Sequence, residues 1–136
     1  MNLRILSLST ICILLTHSLF AQTILSEDFE SGSPGAWSQT TNATDGGWLF
    51  GTAATMSSTY WAVNTSNTTN IAASNDDNCN CDKSVDYFIT PTLDLSSSSS
   101  VFMNFDVYFG GYTYGGATEV LTIEASTNGG DRKSVV

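Results

Sequence analysis

The sequence predicts an all-β sandwich. Beyond the N-terminal segment, no stretch sustains the apolar spacing of an amphipathic helix. Instead, six or so short apolar runs recur at near-regular intervals, each bounded by Gly, Pro, Asn or Ser. That rhythm is what short antiparallel strands joined by tight turns produce.

Residues 1–21 come first and read as a secretory signal peptide. Arg4 gives a positive start, the run from Ile5 to Phe20 has no Asp or Glu, and Ala21 supplies the small residue that a signal peptidase accepts. The apolar run is short for a membrane span, which needs roughly 20 residues. No transmembrane span is expected beyond the leader. Residues 22–136 then form one domain, placed outside the cell: secreted or on the outer surface.

Along that domain, TILSEDFESG (23–32) reads as a first strand closing at the turn cluster SGSPG. A polar loop follows between Trp37 and Trp48. GWLFG (47–51) and YWAV (60–63) read as short strands. DYFITPTLDLS (86–96) is a strand that Pro91 marks as an edge or a kink. The serine run 96–100 is a solvated turn. VFMNFDVYF (101–109) is the strongest strand, with Val101, Met103, Phe105, Val107 and Phe109 on one face. GGYTYGGAT is a glycine-rich hairpin or loop, EVLTIEAST alternates again, and NGG signals a further hairpin. A returning strand is expected after NGG, yet DRKSVV closes the sequence. The expectation is therefore a sandwich truncated at its C-terminus, with an unpaired edge.

Composition narrows the chemistry. The sole histidine, His17, lies in the leader, so the mature chain has none. Ser-His-Asp and Cys-His catalysis and His-based zinc sites are excluded within these residues, and the chain is expected not to be an enzyme. Without Arg4, only Lys83, Arg132 and Lys133 stand against all 13 acids. Nucleic acid is disfavoured as a partner by that sign, and hard cations are favoured.

The densest polar feature is the loop Asn75, Asp76, Asp77, Asn78, Asn80, Asp82 and Asp86. It offers many oxygens of the kind calcium takes, but equally the side chains that make Asx-turns in a solvated loop. Within it, Cys79 and Cys81 are a disulfide candidate at tight spacing; pairing with a cysteine outside this sequence is the alternative. Asp28 and Glu30 share one face of the first strand. Tyr108, Tyr112 and Tyr114 are ligand-contact candidates, since tyrosine and glycine give binding surfaces rigid contact area and adaptable backbone. Asn42, Asn64 and Asn67 stand in glycosylation sequons.

Four segments, SEDFESGSPGAW, DGGWLFG, ASNDDNCNCDKSVDYFITPTLDLS and VFMNFDVYFGG…GATEVLTIEASTNGG, resemble in order the choice-of-anchor J and cleaved-adhesin domains. These are MAM-like modules of exported bacterial proteins, including the adhesin parts of gingipain-type proteases. The resemblance implies a concanavalin-like jelly roll, calcium as cofactor, and a non-catalytic adhesion role with an extracellular protein or glycan as ligand. It also implies larger parent proteins, some exported by type IX secretion. By position, Asp28 and Glu30 match the family's first-strand acids, and Asn75, Asp76 and Asp77 its SND loop; these are the implied calcium ligands. The departure is DRKSVV, where family members continue with a Trp-containing strand. An alternative reading makes the chain the N-terminal accessory part of a secreted hydrolase, with a protease or glycosidase domain downstream.

Overall fold

The structure, a computed structural model, describes residues 21–63 and 68–135. Residues 1–20, nearly all of the expected signal peptide 1–21, and the sequon residues Asn64 and Asn67 lie outside the described residues. Of the described residues, 22% are strand and 7% helix, so the fold is mostly β, and no barrel closes.

Two nested antiparallel pairs organise the first half. β1 (Ser38–Thr41) pairs with β4 (Asp86–Ile89), with Ser38 opposite Ile89 and Thr41 opposite Asp86. Inside that pair in sequence, β2 (Leu49–Thr52) pairs with β3 (Asn70–Ala73), with Leu49 opposite Ala73. Two single helical turns punctuate them. α1 (Ala53–Met56) starts where the Thr52 hydroxyl accepts the Thr55 N–H. α2 (Asp76–Cys79) starts where the Asn75 side chain accepts the Asp77 N–H, and it ends at Asn80 in the left-handed region. Both are fixed by caps, so no apolar periodicity announces them.

Five aromatic rings join the two pairs. Phe88 on β4 stacks on Trp37 at 4.5 Å and on Trp48 at 5.5 Å, and touches Phe50 of β2 at 5.7 Å. Phe29 completes the cluster at 6.0 Å from both Phe50 and Phe88. To reach it, Phe29 takes φ +60°, which costs an L-residue about 1–2 kcal/mol. Local bonds offset this: the Phe29 N–H donates to Glu27 Oε1 and its carbonyl accepts the Gly32 N–H. The first expected strand is not formed: residues 23–28 join no ladder and lead into this turn. The buried apolar side chains among the described residues are the small ones of Pro34, Ala53 and Ala73, so the rings are the main apolar assembly but are not sealed from water.

Gly47 marks a tight crossing beside the cluster. It is buried, has φ +90°, and a Cβ there would lie 2.7 Å from Gln39 Oε1. That closeness lets Gln39 exchange two bonds with the Trp48 backbone.

The second half differs from the expectation. Residues 101–109 alternate as a strand should, but no ladder forms there, and Val101, Met103, Phe105, Val107 and Phe109 stand about half exposed. Alternation states which side chains would share a face; it supplies no partner. YWAV is likewise a bend, not a strand. The glycine-rich hairpin is present: β5 (Thr113–Tyr114) pairs with β6 (Ala117–Thr118) across Gly115–Gly116. The NGG signal also holds. β7 (Glu124–Ala125) pairs with β8 (Lys133–Ser134), so a short returning strand does lie within DRKSVV. Arg132 lies 4.2 Å above the Tyr87 ring and tethers this hairpin to the outer face of β4.

Phe88→Ala removes the ring shared by four aromatic contacts. Because the cluster is partly open, it should cost roughly 2–3 kcal/mol, at or below the lower end for buried Phe truncations, read as a reduced denaturant midpoint.

Candidate ligand surface and buried ion cluster

The five implied calcium ligands fall into two groups. Asp28 Oδ1 accepts the Glu30 N–H, and Glu30 is tied to Asn70, its Oε1 accepting the Asn70 N–H at 3.0 Å. This places both acids at the start of β3. Asn75 lies beyond the other end of β3, and five residues of extended chain span about 16 Å. Its oxygen is engaged as the α2 cap and its amide nitrogen donates to the Met56 carbonyl, leaving the residue 8% exposed. Asp77 Oδ2 accepts the Ser58 hydroxyl, while Asp76 is exposed. The two groups do not fit one calcium shell, which needs six to eight oxygens at about 2.3–2.6 Å. Among the described residues, the one triad of acidic or sulfur side chains with ligand atoms within 4.8 Å is Asp45, Cys79 and Cys81.

Cys79 and Cys81 are joined in a disulfide with Cα atoms 5.1 Å apart, so these sulfurs are not thiolate ligands. The bond packs beside Asp45 and frames the turn at Asn80.

Tyr108, Tyr112 and Tyr114 are 53%, 62% and 91% exposed. Tyr108 leans on Trp61 at 5.6 Å, so it is a supported platform. Tyr114 lines an open cleft of about 490 Å³ with Tyr60, Asp76, Asp77, Asn80 and Cys81. A neighbouring hollow lies on Tyr60, Asp77 and the serines 57 and 58. Tyr60, itself 80% exposed, was not foreseen from the sequence, because YWAV reads as a strand.

A buried ion cluster was also unforeseen. The Lys83 side chain is 8% exposed; its ammonium donates to Asp45 Oδ1 at 3.0 Å and to the Gly47 carbonyl at 2.7 Å. Asp45 Oδ2 is also 3.0 Å away and Asp86 Oδ2 is 3.5 Å away. The Asp86 side chain is 5% exposed; its Oδ2 accepts the Ser74 hydroxyl and its Oδ1 is buried without a partner. Burial pushes the Asp45 carboxyl up, but the Lys83 hydrogen bond, the Gly47 N–H and the Lys83 charge outweigh it and hold the carboxyl below its ordinary range. One ammonium thus faces two carboxylates in a largely dry place. The sequence signal was a lone lysine inside an acidic loop, but its partner Asp45 lies too far along the chain for spacing to show.

No family model matches the chain, and no match was found among curated proteins or solved structures. No helix among the described residues is long and apolar enough to cross a membrane.

Three outcomes follow from this geometry. Lys83→Met leaves two buried carboxylates without their cation and should cost roughly 3–5 kcal/mol of stability, measured by denaturant unfolding. Because the implied calcium ligands stand in two groups, a melting temperature that rises in calcium over chelator should be abolished by Asp76→Ala with Asp77→Ala or by Asp28→Ala with Glu30→Ala, but not by both pairs; equal melting temperatures in calcium and chelator would set calcium aside. Hydrogen bonds from the Ser126 side chain and then Thr127 hold the Asp131 carboxyl below its ordinary value of 3.8. Its contribution to the β7–β8 loop is present above that value and is lost as pH falls through the lowered one. Amide exchange at Gly129, whose N–H donates to Ser126, should report the loosening at acid pH.

Proposed function

We propose that residues 22–136 act as a non-catalytic binding module of a secreted or surface-attached protein, with an extracellular protein or glycan as ligand. The observation that carries this reading is the pair Tyr60 and Tyr114, which stand exposed around a cleft that also holds Asp76, Asp77 and Asn80. Tyrosines bring large, stiff contact area at small entropic cost, and the neighbouring carboxylates and amide can fix a ligand's hydroxyl or N–H groups.

Supporting arguments come from sequence. The leader places the module outside the cell, the absent histidine removes the usual nucleophile activators, and the excess of acids argues against nucleic acid. The resemblance to choice-of-anchor J and cleaved-adhesin domains is the reason to extend the nested pairs to a concanavalin-like jelly roll.

The test is a glycan array together with a panel of immobilised extracellular proteins, followed by titration of any hit. Tyr60→Ala and Tyr114→Ala should each weaken binding about tenfold or more while leaving the melting temperature unchanged, as anchors at an interface centre do. Binding that survives both substitutions would place the ligand elsewhere, and hydrolysis of a panel member would overturn the non-catalytic reading.

A further inference from the structure

The geometry points to a covalent amide cross-link between Lys83 Nζ and Asp45 Cγ, with Asp86 as the proton carrier. Three observations converge on it. Lys83 Nζ lies 3.0 Å from both oxygens of the Asp45 carboxylate, a forked ion pair that holds the amine one bond away from Cγ. A second carboxylate, Asp86, which is 95% buried by its side chain's 5% exposure, lies 3.5 Å from the same nitrogen. The two oxygens of Asp45 are also not equivalent. Oδ1 accepts the Gly47 N–H at 3.1 Å and the Lys83 hydrogen bond, whereas Oδ2 is buried and makes no aligned hydrogen bond.

That inequality selects the oxygen that leaves. Moving one proton from Lys83 to Oδ2 within the contact turns the ion pair into a neutral amine and a neutral acid. The Lys83 and Gly47 contacts hold Asp45 ionised, so this exchange runs uphill, and the burial of both charges lowers its cost. The Nζ lone pair then forms the bond to Cγ, and the electron pair of the Cγ–Oδ2 bond departs with Oδ2. Asp86 takes a second proton from Nζ and passes it to Oδ2, which leaves as water; Asp86 ends as it began. The ammonium and carboxylate become one amide and one water, so no oxidant, reductant or other reagent is required. The product suits its surroundings. The retained Oδ1 keeps the Gly47 N–H, and the remaining amide N–H keeps the Gly47 carbonyl now 2.7 Å from Nζ. The poorly aligned Oδ2 is gone. Holding the groups in contact replaces a bimolecular condensation with an intramolecular one, which is where the rate comes from.

The cross-link is read by mass. The purified full chain, with its disulfide reduced and its N-terminus assigned from fragment ions, should be lighter than its sequence by one water after incubation at neutral pH. Trypsin should then no longer cut after Lys83, and chymotrypsin, which cuts at the aromatic residues between the two positions, should yield a branched peptide joining the segments around Asp45 and Lys83. Lys83→Arg and Asp45→Ala should carry their full sequence masses. Asp86→Asn, with folding checked by tryptophan fluorescence, should remain at full mass while the wild type converts. A wild-type chain that keeps its full mass overturns the proposal. So does a water loss that persists in Lys83→Arg, because a succinimide at Asp45–Gly46 loses the same mass without the lysine. Folded Asp86→Asn that cross-links at the wild-type rate removes Asp86 from the mechanism. The wild-type result stands alone if the Asp86 variant does not fold.

Discussion

Phe88 lies between Trp37 and Trp48, and the rest of the described fold depends on that stack. It is the ring through which the outer pair β1–β4 touches the inner pair β2–β3, by way of Phe50. On a strand, residues two apart share a face, so Asp86 points to the same side as Phe88. The Trp48 indole N–H donates to the Asp86 carbonyl at 3.0 Å, fixing that stretch of backbone to the cluster. The aromatic assembly and the Lys83 ion cluster are therefore one construction. The rings line one flank, and the carboxylates meet their cation where solvent screening is weakened.

The loop from Asn75 to Lys83 closes the other flank. Asn75 ties α2 to the Met56 carbonyl, the disulfide holds Cys79 to Cys81, and Asn80 in the left-handed region reverses the chain. Asp82 then accepts the Ser84 N–H in an Asx-turn that frames Lys83. Of the loop's side-chain oxygens, those of Asn75 and Asp82 serve its own turns. Its one lysine serves as the internal cation.

Legibility followed the range of the interaction. GWLFG and DYFI could be read because glycines and Pro91 punctuate them, and the hairpin at Gly115–Gly116 because the turn itself demands glycine. β1 could not: SQTT has no apolar pattern, and it is a strand only because Trp37 anchors it alongside β4. Residues 101–109 show the opposite failure, a strong pattern without a paired ladder. The two helical turns rest on single capping side chains. At the site, Tyr114 and the cysteine pair were visible as residue types. Lys83 with Asp45 was not, since nothing local announces a contact between a loop after β1 and a loop before β4.

The nesting of the strand pairs also orders the assembly of the chain. β2 and β3 are the nearer pair in sequence, and β1 and β4 lie outside them. Once the inner pair has closed, the outer strands are separated by an already shortened tether, so the entropy of bringing them together is largely spent. Closing β1 on β4 first would instead confine the whole intervening chain before any inner contact rewarded it. The aromatic stack, which needs strands from both pairs, can therefore form only late, as the event that locks the inner zipper to the outer one.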